Sequence, residues 1–268
     1  MKQLVILISL FALTLTGCAT SQPSCNTTNL KDLKNLTLQS LSATKPTVGR
    51  IRIKALKETA MTIGAQGGLA IRSEQLNNLL TQHTDQLSKI FNFNGLMLDH
   101  NVLPPVLEQN SHSFNLTSSN VIRLSDRIYR IIKQAKFVTT PPTWRDYLWL
   151  NFKKPELPDS TLLPKNSQER KVWKKYVTLG WEKGIAQANN IYNDSLAKLQ
   201  RNFKGMILYR KLLSENMVSQ PFVAKSNMGV TSNSSRTELR INDQILRITS
   251  IPKLKSNSKQ WNPVMVQE

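Results

Sequence analysis

From Arg50 onward apolar positions recur at helical spacing: Ala55, Thr59, Thr62 and Ile63, then Leu69, Leu76, Leu79, Leu80, Leu87 and Ile90. Steps of three, four and seven residues put one stripe on one face of an amphipathic helix. Gly64, Gly67 and Gly68 fall inside the stripe. Glycine costs roughly 1 kcal/mol against alanine in a helix. Either the helix breaks there, or a neighbour packs against the missing side chains. A phosphate cradle is a poor match, because the G-x-G-x-x-G spacing is missing. A longer helical stretch runs from Asn166 to Asn216, with stripes at Trp173, Tyr176 and Leu179 and at Tyr192, Leu196, Leu199 and Phe203. Pro164 leads in, and Asn166 with Glu169 has the spacing of a capping box. Gly180, Gly184 and Gly205 predict kinks or close crossings, so the stretch reads as two or three helices.

Elsewhere the period changes. Ile122, Leu124, Ile128, Ile132 and Val138 share one face of an extended chain, with Arg123, Arg127 and Lys133 opposite. A helix also fits the 121–138 region, but its Ile and Val content favours strands, with a turn at Ser125-Asp126. Phe222-Val223-Ala224 reads as extended, and Glu238 to Thr249 alternates about Asn242-Asp243, a hairpin signal. Asn94-Gly95 marks a turn and Pro104-Pro105 a rigid extended piece. After Pro141-Pro142, Thr143 and Asp146 sit where a short helix would be capped. Trp144, Tyr147, Trp149 and Phe152 follow. With Trp173 and Trp181, these aromatics are candidates for core or for an interface. The fold class expected is α+β: a helix-rich body with a small, mostly antiparallel sheet.

The N-terminal segment has another logic. Lys2 precedes an apolar run, Leu4 to Leu15, and the chain then reads Leu15-Thr16-Gly17-Cys18. The run is short of the ~20 apolar residues that a membrane helix needs. It fits a removable export signal, residues 1–17, with Cys18 as the acylated N-terminus of a lipoprotein. Ala19, not Asp, follows the cysteine, as in proteins sorted to the outer membrane. Residues 18–49 are rich in Ser, Thr and Asn and read as a lipidated flexible tether, part of which Leu30, Leu33, Leu36 and Leu38 could order by docking. A single folded domain is expected over 50–252, followed by a loose basic tail over 253–268. Cys25 is the second of two cysteines, either a free thiol in the tether or an interchain partner.

The formal charge is +19, from 36 basic and 17 acidic residues. Such a balance suits acidic partners, anionic lipid or cell-wall polymer, and an exported chain is removed from ordinary nucleic-acid work. The basic residues are spread along the chain, so most read as solvated faces. A search for chemistry finds little. His83, His100 and His112 lie in no H-E-x-x-H pair or cysteine cluster, and no G-x-S-x-G elbow occurs. Asp99-His100 reads as surface. No catalytic residue, cofactor or metal is called, and an enzyme is not expected.

Five segments carry a resemblance: Glu58 to Ser73, Phe91 to Glu108, Pro141 to Phe152, Gly205 to Ala224 and the Glu238 to Thr249 stretch. Together they resemble the DotC lipoproteins of Dot/Icm type IVB secretion systems, a family related to a lipoprotein of IncI-type conjugation systems. The likeness covers nearly all of the chain after the tether. It implies a structural subunit of an outer-membrane core complex, facing the periplasm and partnered by DotD and DotH; lipid-anchored copies packing around a pore are then expected to form a ring. Cys18 matches the acylated position. The readings to set against it are a peptidoglycan-binding or wall-modifying lipoprotein, and a solute-binding lipoprotein, for which the two-lobed α/β pattern is missing.

Overall fold

A computed structural model describes residues 29–36 and 49–262. Its helices are α1 (Leu30–Asn35), α2 (Arg50–Gln82), α3 (Thr84–Ile90), α4 (Arg145–Leu148) and α5 (Ser167–Ser214). Its strands are β1 (Val102–Leu103), β2 (Val106–Ser118), β3 (Val121–Lys133), β4 (Lys136–Phe137), β5 (Phe222–Ser232) and β6 (Leu239–Ser250). The α+β class holds. The strands form three antiparallel pairs, β1 with β4, β2 with β3 and β5 with β6.

The two long helices carry the fold. At 1.5 Å per residue, α5 is about 72 Å long and α2 about 50 Å. They run parallel, because residues near each helix start meet each other and so do residues further along: Arg52 bonds Glu169, Arg72 bonds Asn189, and Leu80 packs with Leu199. Parallel neighbours need a long return, here the chain from α3 through α4. Neither long helix breaks at its glycines. A β-carbon on Gly64 would run into the main chain of Val177, one on Gly68 into Trp181, one on Gly180 into Met61 and one on Gly184 into Ala65. Two Gly-x-x-x-Gly patches therefore face each other with backbones in contact, as small residues permit. The expected division of residues 166–216 into two or three helices is corrected: close packing offsets what glycine costs in helix propensity, and α5 is continuous.

The core forms three clusters along α5. Leu33 of α1 joins Leu56, Ala60, Ile63, Trp173 and Val177 at the N-terminal end. In the middle, Leu80, Phe93, Leu103, Val106, Trp144, Leu148, Leu199 and Met206 meet. Leu107, Tyr209, Leu212 and Val218 close the C-terminal end.

The turn positions differ from expectation. Ser118 pairs with Val121, so Ser119-Asn120 makes the reversal, and Ser125 sits mid-strand opposite Ser113. The supposed Ser125-Asp126 turn is interior to β3, because a tighter polar turn lies upstream. Likewise Glu238 to Thr249 is no hairpin by itself. Leu239 to Ser250 is one strand paired with β5. The reversal lies earlier, where the Asn233 side chain accepts from the amides of Thr237 and Glu238 at 2.9 and 3.2 Å. Asn242 does adopt a left-handed φ of 56°, but beside a register shift near Gly229, so it makes a bulge.

The chain after Pro252 is tied down as far as Asn262. Lys253 and Lys255 amides donate to Ser219 Oγ and the Met217 carbonyl, and Asn262 donates to the Glu215 carbonyl at 2.8 Å. The expectation of a loose tail thus fails over 253–262, because these main-chain bonds clamp it to the end of α5.

Candidate interaction surface

The most buried charged pair marks the N-terminal end of the long helices. Arg52 grips Glu169 with two bonds, Nε to Oε1 at 2.7 Å and Nη2 to Oε2 at 3.0 Å. The same guanidinium donates to the carbonyls of Thr161 and Leu163. Asn166 Oδ1 accepts from the Glu169 amide at 2.8 Å, as the cap spacing suggests. The Glu169 carboxylate accepts from the Lys165 amide. The Arg52 hydrogen bond holds the Glu169 carboxyl below the usual range, against the opposing effect of burial. At this end α1 seats Leu33 in the groove over Gly67, and Trp173 Nε1 donates to the Leu33 carbonyl at 3.0 Å. The docking of leucines in the tether segment is therefore seen for Leu33. Cys18 and Cys25 lie outside the described residues.

The aromatic candidates separate. Trp144 and Trp173 are fully buried, Trp144 with its Nε1 on Ser88 Oγ at 3.1 Å. Tyr147 stacks on Phe93 with ring centroids 5.9 Å apart and accepts from Asn202 Nδ2. Trp181 lies over Gly67 and Gly68. Of the two roles open to these four, core or interface, the contacts show packing within the body: Trp144 and Trp173 are buried, Tyr147 and Trp181 half-buried. Trp149 is exposed and remains a candidate.

Two outward apolar surfaces lie on the strand pairs, beyond the aromatics that the sequence singles out. β2 and β3 form a two-stranded ribbon of 13-residue strands, with no third strand among the described residues. Phe114 faces Leu124 and Leu116 faces Ile122 on one side of its outer half. Their exposures are 75, 66, 66 and 60% respectively. The second ribbon, β5 with β6, behaves alike. Val230 pairs with Ile241, and they are 64 and 71% exposed, with Leu239 and Met228 also outward. An isolated two-stranded ribbon is marginal in water, and clustered apolar exposure marks an interaction site. The signal was present in the alternation of 121–133, but the expected small sheet supplied an imaginary cover.

Both ribbons are rooted at the C-terminal end of α5. Leu107 and Tyr129 of the first pack with Tyr209, Leu212 and Val218, the last just before β5. Along α5 that point is about 54 Å from Trp173 at 1.5 Å per residue. Helix α1 and the ribbons thus lie at opposite ends of α5. The first root is strongly basic. Burial, and then the cations of Lys198, Arg201 and Lys136, push the Lys133 ammonium below the usual lysine range.

Among the described residues no group of His, Cys, Asp and Glu is arranged to hold a metal. None of the described helices is long and apolar enough to cross a membrane. His100, with a left-handed φ of 60°, and Asp99 line an open cleft with Arg210, whose Nη2 donates to the Met97 carbonyl.

A family of type IV secretory system proteins of conjugal DNA-protein transfer, TraI, matches residues 50–263. The chain belongs to this family. The TraI match begins where α2 begins and takes in the clamped segment after Pro252, so it spans the helical body and both ribbons. No curated protein matches the chain. A TraI-family member is a component of a type IV secretion or conjugal transfer system, and subunits of that system are its partners.

Proposed function

We propose that this chain is a non-enzymatic, outer-membrane lipoprotein subunit of a type IVB core complex of the Dot/Icm kind, helping to assemble and place the channel. The observation that carries this reading is the pair of ribbons with outward apolar faces, held at the far end of α5 from α1. Lipid on Cys18 would hold many copies at one surface and raise their effective concentration for assembly. The rigid α2–α5 pair would then carry the ribbons tens of ångströms into the periplasm, toward DotD- and DotH-like subunits. Closed rings follow when one interface repeats with a rotation that closes. Membership of a conjugal transfer family supports the secretion role.

The test is lipid labelling with membrane fractionation of the wild-type chain and Cys18→Ser. Label on the wild type, outer-membrane recovery, and loss of both in the variant are expected. An unlabelled wild type, or equal fractionation of the two, overturns the anchor. The charge of +19 favours the second reading, adhesion to acidic cell wall. Salt-resistant pelleting with purified sacculi would support that reading instead.

A further inference from the structure

We propose that the β2–β3 ribbon takes an acidic β-strand of a neighbouring subunit along the free edge of β3. This deepens the scaffold reading and rests on it.

The two faces of the ribbon differ. Phe114, Leu116, Ile122 and Leu124 line one face of its outer half. On the other face Arg123 and Arg127 alternate with Ser125, and Arg127 stands opposite Ser111. Neither arginine has an ion-pair partner among the described residues, and Arg130, in register with Glu108, lies on the opposite face. Among the described residues β2 and β3 pair only with each other, so both outer edges of the ribbon present main-chain groups without a strand partner there. Such an edge is a template for strand addition.

Charge selects the occupant. A strand laid beside β3 puts its alternate side chains next to Arg123 and Arg127. Opposite charges across strands stabilise, and like charges destabilise. A second copy of this chain would bring arginine to arginine, on a molecule of charge +19. A strand alternating apolar and carboxylate residues satisfies both faces: its apolar set extends the Phe114 face, and its carboxylates meet the arginines. Lys133, Lys136, Lys198 and Arg201 at the ribbon root add a field of the same sign and would draw an acidic partner in.

The test uses the full chain in detergent, titrated with a labelled peptide of alternating valine and glutamate and with its valine–lysine counterpart. The glutamate peptide should bind at least roughly tenfold more tightly than the lysine peptide, as two cross-strand charge pairs allow. The double substitution Arg123→Glu with Arg127→Glu should reverse that preference. N-methylation of alternate peptide residues should abolish binding, because it removes the main-chain donors. Equal binding of both peptides, a preference unchanged by charge reversal, or no binding overturns the proposal. So does self-association of the chain through Phe114 in sedimentation, which would make a second copy the occupant. If the chain co-purifies with secretion subunits yet ignores the peptide, this inference fails and the scaffold reading stands. A chain recovered alone sinks the scaffold reading itself.

Discussion

Gly64 of α2 lies against the carbonyl oxygen of Val177 of α5, so close that a β-carbon at Gly64 would overlap it. The obstacle is main chain, which cannot swing aside as a side chain can. Gly64→Ala should therefore push the helices apart and lower stability by about 1–3 kcal/mol or more, the range for overpacking. Gly180→Ala, against Met61, should do the same. Gly95→Ala is the control, since it meets nothing nearer than Asn92 Nδ2 at 3.9 Å. Urea denaturation of the three variants checks this.

The Arg52–Glu169 pair makes stability acid-sensitive. The folded-state pKa of Glu169 is depressed, chiefly by the Arg52 hydrogen bond. Its contribution is thus complete above the ordinary glutamate value of about 4.3, and it fades as pH falls below that value through the depressed folded one. Glu169→Gln should flatten that part of the stability profile. Breaking a buried pair costs ~3–5 kcal/mol. The partly exposed Arg52 guanidinium places Glu169→Ala near the lower limit. Denaturation at a series of pH values separates the two effects.

Burial pushes the Tyr209 phenol up to about 12. A raised pKa means stability that is complete below the unfolded value near 10 and is lost as pH rises toward 12. The phenol's bond to the Ser219 carbonyl is long, at 3.5 Å. Tyr209→Phe should then cost less than about 1 kcal/mol and remove the alkaline loss, while Tyr209→Ala should cost ~3–5 kcal/mol, as for a large buried aromatic. Ultraviolet titration of tyrosinate absorbance checks the ionisation directly.

The outward residues of the second ribbon should behave in the opposite way. Val230→Ser with Ile241→Ser removes apolar surface that touches little of the body. Stability should stay within about 0.5 kcal/mol of wild type, while recovery with other secretion-system subunits falls. A large loss of melting temperature would show that the ribbon serves the fold, not a partner.

Helical period revealed α2 and α5, and the Asn166 cap was legible to the residue. What the glycines do was not, because a break and a close crossing leave the same letters; the neighbouring backbone of Val177 or Ala65 decides. The parallel course of the helices has no local signature at all. It follows from the Arg52–Glu169 and Arg72–Asn189 bonds, each spanning 117 positions. Turns were misplaced where several Asn and Asp residues competed: Asn242 is left-handed yet bulges, while Asn233 caps the true reversal. The aromatics stayed open between core and interface because composition cannot distinguish an indole over a glycine groove from one facing a partner. The ribbons escaped notice for a related reason: alternation predicts a strand but not whether anything lies on its apolar side.

If this TraI-family chain works as one subunit of a secretion assembly, its native size will show it. Affinity-tagged full chain should be purified from detergent-solubilised membranes, beside Cys18→Ser, and sized by sedimentation and mass spectrometry. A large complex containing other secretion lipoproteins, diminished or mislocated in the variant, is expected. A lone monomer from both would contradict it.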